Sequence, residues 1–187
     1  MSHQPSQLRV TRAARCIRTG GIVAYPTEAV FGLGCDPANP QAVARLLALK
    51  RRPPGKGLIL VAASRAQLDP WMAPLPPRLR QRLDASWPGP HTWLVPASDN
   101  CPDWLTGCHD TLAVRVSAHP GVQGLCRAAG MAIVSTSANR SGRPPARSLL
   151  EIRLAFGTGV DDCLPGALGG LEAPTRIQDL KTGRRLR

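Results

Sequence analysis

The stretch Gly21-Ile-Val-Ala-Tyr-Pro-Thr-Glu-Ala-Val-Phe-Gly-Leu-Gly34 decides the architecture. Residues 21–25 make a continuous apolar run of strand length, which reads as a buried strand. Pro26 ends it, because proline has no N–H to give to a sheet ladder. Residues 27–37 then read as turn-rich, with Gly32 and Gly34 letting the backbone bend closely. Helices flank this unit. Upstream, Ser6 is placed to cap a helix running through Leu8, Ala13, Ala14 and Ile17 and stopped by Gly20-Gly21. Downstream, a helix opens near Pro40, carries Val43, Leu46, Leu47 and Lys50 at helical spacing, and breaks at Pro53-Pro54.

The same interleaving continues along the chain. Residues 58–62 read as an apolar strand, and 64–90 as a helical stretch with a start at Pro76-Pro77 and a strong turn at Trp87-Pro-Gly-Pro90. Strands at 92–96 and 111–116 bracket a polar excursion. A helix over 121–129, a strand over 132–135, a polar loop over 137–145 and a helix over 147–156 follow. Residues 176–184 suggest a terminal strand with a hairpin turn. No repeat or linker divides these elements, so the expected fold is one open, mixed α/β sheet in a single domain spanning 7–187.

A chain of 187 residues buries roughly 70% of its unfolded surface and needs no disulfide or metal staple. No apolar run approaches the ~20 residues of a membrane span. The first twenty residues are polar and Arg-rich, unlike a secretory signal. The six cysteines form no C-x-x-C pair, so reduced thiols in a cytoplasmic protein are expected. Cys101, Cys108, His109 and His91 do not match the usual ligand spacings, and no metal site is assigned. Lys plus Arg number 24 against 12 Asp plus Glu, an excess that favours nucleotides or RNA as company. An Arg-rich coding bias would give the same excess, and aromatics at 4% offer no stacking platform for single strands.

Familiar catalytic signatures are absent. Gly32-Leu-Gly34 lacks the third glycine of a dinucleotide fingerprint, and the sequence holds no P-loop, H-E-x-x-H or G-x-S-x-G run. Two polar clusters stand out instead. Lys50-Arg-Arg-Pro-Pro-Gly-Lys56 sets four cations at a helix end and in the loop after it. This reads either as a solvated complement to the helix dipole or as a triphosphate clamp of converging donors. Ser135-Thr-Ser-Ala-Asn139, followed by Arg140-Ser-Gly-Arg143, sits at the carboxyl end of a strand, where open α/β sheets bind ligands. Arg115, between Val114 and Val116, calls for an anionic partner or for water at an edge strand.

Five runs occur in order: Tyr25-Pro-Thr-Glu-Ala-Val-Phe-Gly-Leu-Gly34, Lys50-x-Arg52-Pro, Trp87-Pro-Gly-Pro90-x-Thr92, Thr111-x-Ala-Val-Arg115 and Ser135-Thr-Ser-Ala-Asn139-x-Ser-Gly142. Together they resemble the YrdC family in its short bacterial form. The resemblance implies a twisted sheet with a basic concave face. It also implies an enzyme that joins L-threonine, bicarbonate and ATP into threonylcarbamoyl-AMP and pyrophosphate. Family contacts carried over place Lys50, Arg52, Ser137 and Asn139 in the nucleotide pocket, with Lys56, Thr111 and Arg143 also toward ATP. Thr27, Arg115 and Ser135 fall toward threonine. Ala29 replaces the second threonine of the pattern in longer relatives, and Glu28 takes no assigned role. Magnesium is expected with the triphosphate, and the adenylate is expected to pass to a transferase complex that modifies tRNA. The residues themselves leave a second class open: an RNA-binding protein gripping structured RNA on its basic face without chemistry. A third possibility, a carbamoyl-transfer domain like those of hydrogenase-maturation proteins, lacks the zinc-type cysteine motifs that accompany such domains.

Overall fold

The computed structural model describes residues 5–173 and 175–186. Readings that touch Met1 to Gln4, Pro174 and Arg187, including the last residue of the 7–187 span, lie outside the described residues. Among the described residues one sheet of eight strands organises the chain. The strands are β1 (Val23–Pro26), β2 (Phe31–Gly34), β3 (Ile59–Ala62), β4 (His91–Pro96), β5 (Thr111–Val116), β6 (Ile133–Ser137), β7 (Asp162–Cys163) and β8 (Arg176–Asp179). Their spatial order is β7-β1-β2-β6-β3-β5-β4-β8. The β1–β7, β3–β5 and β4–β8 pairs are parallel and the others antiparallel, so the sheet is mixed as expected.

Side chains alternate across the sheet, and each face has its own core. On one face, Val23 and Tyr25 of β1, Val61 of β3 and Ile133 of β6 pack against two helices. These are α1 (Gln7–Arg18), through Val10, Ala13, Ala14 and Ile17, and α5 (Pro120–Ala129), through Val122, Leu125, Cys126 and Ala129. On the other face, Ala24, Leu33, Leu60, Val114 and Val134 meet α2 (Pro40–Lys50) and α6 (Leu149–Phe156), joined by Leu83 from α3 (Pro77–Asp84). The short α4 (Asp103–Thr106) lies in what read as a plain polar excursion.

The helix starts carry their chemistry unevenly. Asn39 caps α2 by accepting from Ala42 N at 2.9 Å, and Ser148 caps α6 by accepting from Glu151 N at 3.2 Å. Ser6 stands at the N-cap of α1, but its hydroxyl makes no cap bond, and Leu8 is largely exposed.

Three readings need correction. Residues 31–34 form a strand, hairpin-paired with β1, where turns were expected. The two glycines serve close approach: a Cβ at Gly34 would sit 2.5 Å from the Val134 carbonyl oxygen and 2.9 Å from the Tyr25 ring. Second, β6 continues through Ser137, so Ser137 projects from the strand, on its β2 pairing, rather than from the loop after it, while Ser135 lies in the strand as expected, on its β3 pairing. Third, the 64–90 stretch holds two single 3-10 turns before the eight-residue α3.

Candidate active site

Alternation also builds the site. Val61 pairs with Arg115 and Ile59 with both Ala113 and Ser135 in the ladders. Ile59, Ala113, Arg115 and Ser135 therefore share the face that α1 and α5 cover farther along. Past Val61 and Ile133 this face opens into a cleft of about 510 Å³ whose lining includes Arg52, Lys56, Thr111 and Ser137. A narrower cavity of about 70 Å³ continues from it, lined by Thr27, Ala29, Arg115, Ser135 and Thr175 among others. Ile59, Ser135, Thr136 and Ser137 border both, so the two spaces form one site.

The cation loop is held in place by its own hydrogen bonds although Lys56 stays exposed. Arg51 ends α2 in the left-handed region at φ 51°, turning the chain so that Arg52 Nη2 donates to the Gly57 carbonyl at 2.8 Å. Gly57 itself has φ +60°, and a Cβ there would lie 2.7 Å from the Thr106 carbonyl oxygen. Leu58 N donates to Leu105 O at 2.8 Å, and Cys108 N to Gly55 O at 3.2 Å, docking the loop on α4 and its flank. Arg52 and Lys56 are thus held at the rim of the larger cleft.

Lys50 does something different from its neighbours. It is buried, and its ammonium donates to the Ser137 carbonyl, to the Asn139 carbonyl at 2.7 Å and to Asn139 Oδ1 at 3.4 Å. Ser141 N returns a bond to Lys50 O at 2.8 Å. Ser137 Oγ donates to Asn139 Oδ1 at 2.6 Å, while Asn139 Nδ2 donates to the carbonyls of Arg143 at 2.7 Å and Arg140 at 3.1 Å. The structure therefore joins Lys50, Ser137 and Asn139 into one hydrogen-bonded turn. It also divides the residues expected at ATP: Arg52, Lys56, Thr111 and Ser137 line the larger cleft. Asn139 and Arg143 line an adjoining cleft on the α6 side. Lys50 lies beneath the turn and lines neither, because its carbonyl partners draw its ammonium inward.

Burial pushes the Lys50 ammonium down from 10.5 to about 8, and the Arg52 charge adds to the shift. Between those values the unfolded chain binds a proton that the folded chain has lost. Stability from this group therefore rises with pH from about 8 toward 10.5. Activity that needs the cation moves the other way. The expected result is that kcat/KM for a nucleotide falls about tenfold per pH unit above the Lys50 titration, with no matching fall in Tm. Lys50→Met should lack that step, and a wild-type profile unchanged by the substitution would remove Lys50 from the chemistry.

The smaller cavity unites all three residues expected at threonine. Thr27 Oγ1 donates to Val30 O at 2.7 Å, tying the turn between β1 and β2. Ser135 is buried at the border of the two spaces. Arg115, only 5% exposed, has Nη1 3.3 Å from Glu28 Oε2, while its Nε has no hydrogen-bond partner. An unpartnered buried guanidinium N–H is costly unless a ligand accepts from it, and Arg115 lines the cavity. Thr136 and Thr175 also line this cavity; nothing in their sequence neighbourhood marks Thr175, which arrives from the far end of the chain. His91 serves structure: its carbonyl accepts from Trp87 Nε1 at 2.8 Å and its ring stacks on Trp93. Among the described residues no group of three or more His, Cys, Asp or Glu could hold a metal ion, and all six cysteines are free.

The profile of the Sua5/YciO/YrdC family, described as telomere recombination, matches residues 15–186. The chain belongs to this family. A threonylcarbamoyl-AMP synthase of Halorhodospira halophila is 59% identical over 179 residues, 96% of this chain and 94% of that relative. One from Nitrosococcus oceani is 55% identical over 96% of this chain and 97% of its own length. Among solved structures of the Sua5/YciO/YrdC fold, P. abyssi Sua5 complexed with L-threonine superposes with a TM-score of 0.90 at 31% identity. It covers 98% of this chain, which spans 54% of that longer chain.

Proposed function

We propose that this protein is a threonylcarbamoyl-AMP synthase, converting L-threonine, bicarbonate and ATP into threonylcarbamoyl-AMP and pyrophosphate. The observation that carries the reading is Arg115: a buried guanidinium with a free Nε in a small cavity that opens directly into a cleft rimmed by Arg52 and Lys56. Arg115 takes the amino acid's carboxylate, and Thr27 and Ser135 face its side chain. Arg52, Lys56 and Thr111 take the nucleotide, with Ser137 and Asn139 forming the turn between the substrates. The family relatives named above support the assignment at more than half identity.

The chemistry needs placement more than reactive groups. Threonine's amine adds to the carbon of bicarbonate-derived carbon dioxide and gives up a proton, forming a carbamate. A carbamate oxygen then attacks the α-phosphorus of ATP and the bond to the bridging β-oxygen breaks, releasing pyrophosphate. Holding two reactants in line and neutralising phosphate charge accounts for most catalysis of this type, so no protein nucleophile is required. Magnesium enters with the triphosphate. The described residues offer it no carboxylate cluster, and phosphate oxygens and water suit it as ligands. The adenylate is a mixed anhydride, and its consumer is a transferase complex acting on the adenosine beside the anticodon in tRNAs reading codons that start with A. Among the described residues no helix is long and apolar enough to cross a membrane; with six free thiols, we place the enzyme in the cytoplasm.

The test is pyrophosphate release by the purified protein with ATP, bicarbonate and threonine, each omitted in turn. All three should be required. Salt-sensitive RNA binding without turnover would instead make the basic face a simple RNA grip.

A further inference from the structure

Glu28 is only 7% exposed, and a buried carboxylate is tolerated only when it is paired. Its surroundings are fixed on nearly every side. Oε1 accepts from Ser117 Oγ at 2.7 Å, and the same Ser117 oxygen accepts from His119 N at 3.1 Å, which aims its proton at Glu28. The backbone is pinned by the segment between β7 and β8: Leu171 N donates to Glu28 O at 2.9 Å and Gly169 N to Thr27 O at 3.0 Å. Gly169 passes so close that a Cβ there would lie 2.8 Å from Glu28 Cα. What remains is Oε2, which accepts no hydrogen bond and meets only the charge of Arg115, 3.3 Å away at Nη1.

We propose that Glu28 is a positioning residue that holds Arg115 by its Nη1 edge, leaves Nε for a single carboxylate, and keeps phosphate out of the amino-acid cavity. The last part follows from charge. The cavity is continuous with a cleft built for polyanions, and a bare buried arginine would attract phosphate as readily as threonine. With Glu28 beside it, the pair is close to neutral, so a singly charged carboxylate is accepted and a multiply charged anion is repelled. This inference rests on the reading of the small cavity as the threonine site.

The experiment measures threonine and ATP binding separately by calorimetry, with and without millimolar inorganic phosphate. Glu28→Gln keeps size and the Ser117 acceptor but removes the charge. It should weaken threonine roughly 10- to 200-fold, the range of one charge-assisted hydrogen bond, leave ATP affinity near wild type, make phosphate compete with threonine, and lower Tm because Arg115 is left without its buried partner. Glu28→Asp should recover part of the affinity and exclude phosphate again. Ser117→Ala, which frees the carboxylate to move, should weaken threonine in the same selective way. Unchanged threonine affinity in Glu28→Gln would overturn the proposal. So would threonine and ATP affinity falling to the same extent, which marks a merely structural role. Failure of the wild-type protein to bind threonine would overturn the site reading itself, before any variant is made.

Discussion

Arg115→Ala is expected to cut threonine-dependent pyrophosphate release by one to two orders of magnitude, roughly 10- to 200-fold, and to lower the melting temperature markedly. Two effects combine. The substitution leaves Glu28 as a buried carboxylate without its cation, and breaking a buried pair in this way costs about 3–5 kcal/mol. For a domain of this size that corresponds to a fall of roughly 6–20 °C in Tm. It also removes the donor for the amino acid's carboxylate, a charge-assisted bond whose loss lowers kcat/KM by roughly 10- to 200-fold by itself. The double variant Arg115→Met with Glu28→Gln separates them. Replacing a whole buried pair with neutral groups of similar size is often harmless to stability, so its Tm should return toward wild type while threonine use stays impaired. If the double variant uses threonine like wild type, Arg115 is a structural cation and the cavity binds something else.

Much of this arrangement was legible in the sequence, and the exceptions have physical reasons. The α2 helix was readable from Pro40 to Lys50, because proline suits the first turn and Val43, Leu46 and Leu47 fall on one buried stripe. The β5 strand was readable from Thr111 to Val116, including an arginine among valines that called for an anion or for water, and only the buried Glu28 contact decides between them. The β2 strand was not, because Gly32 and Gly34 lack a side chain for either of two causes, and only the packed Tyr25 ring and Val134 backbone show which applies. The two residues of β7 are too few to show any periodicity. Lys50 looked like one of four similar cations; that it is buried while Lys56 is exposed depends on carbonyls of the distant 137–139 turn. Glu28 was unreadable for the same reason, since its hydroxyl partner Ser117 lies 89 positions away.

Amino-acid choice should follow the order threonine, then serine, then valine, with the larger gap before valine. Serine lacks one methyl, and a pocket that merely encloses a methyl gains about 1–3 kcal/mol from it, so serine should be used roughly 10- to 200-fold less well. Valine is a harsher misfit, because it puts a methyl where the site expects a hydroxyl. Thr27 Oγ1 already donates its proton to Val30 O at 2.7 Å, and Ser137 Oγ to Asn139 Oδ1 at 2.6 Å. Both oxygens therefore face the site with lone pairs only, and threonine's hydroxyl is the group that can donate to them. Valine would displace water from those lone pairs and return nothing, and rejection from such a site reaches ~10⁴-fold. The carboxylate held by Arg115 is common to all three amino acids and does not discriminate. The measurement is pyrophosphate release at limiting amino acid with saturating ATP and bicarbonate. Valine turning over as well as serine would mean that Thr27 and its neighbours do not read the substrate, and that the cavity beside Arg115 is not where threonine binds.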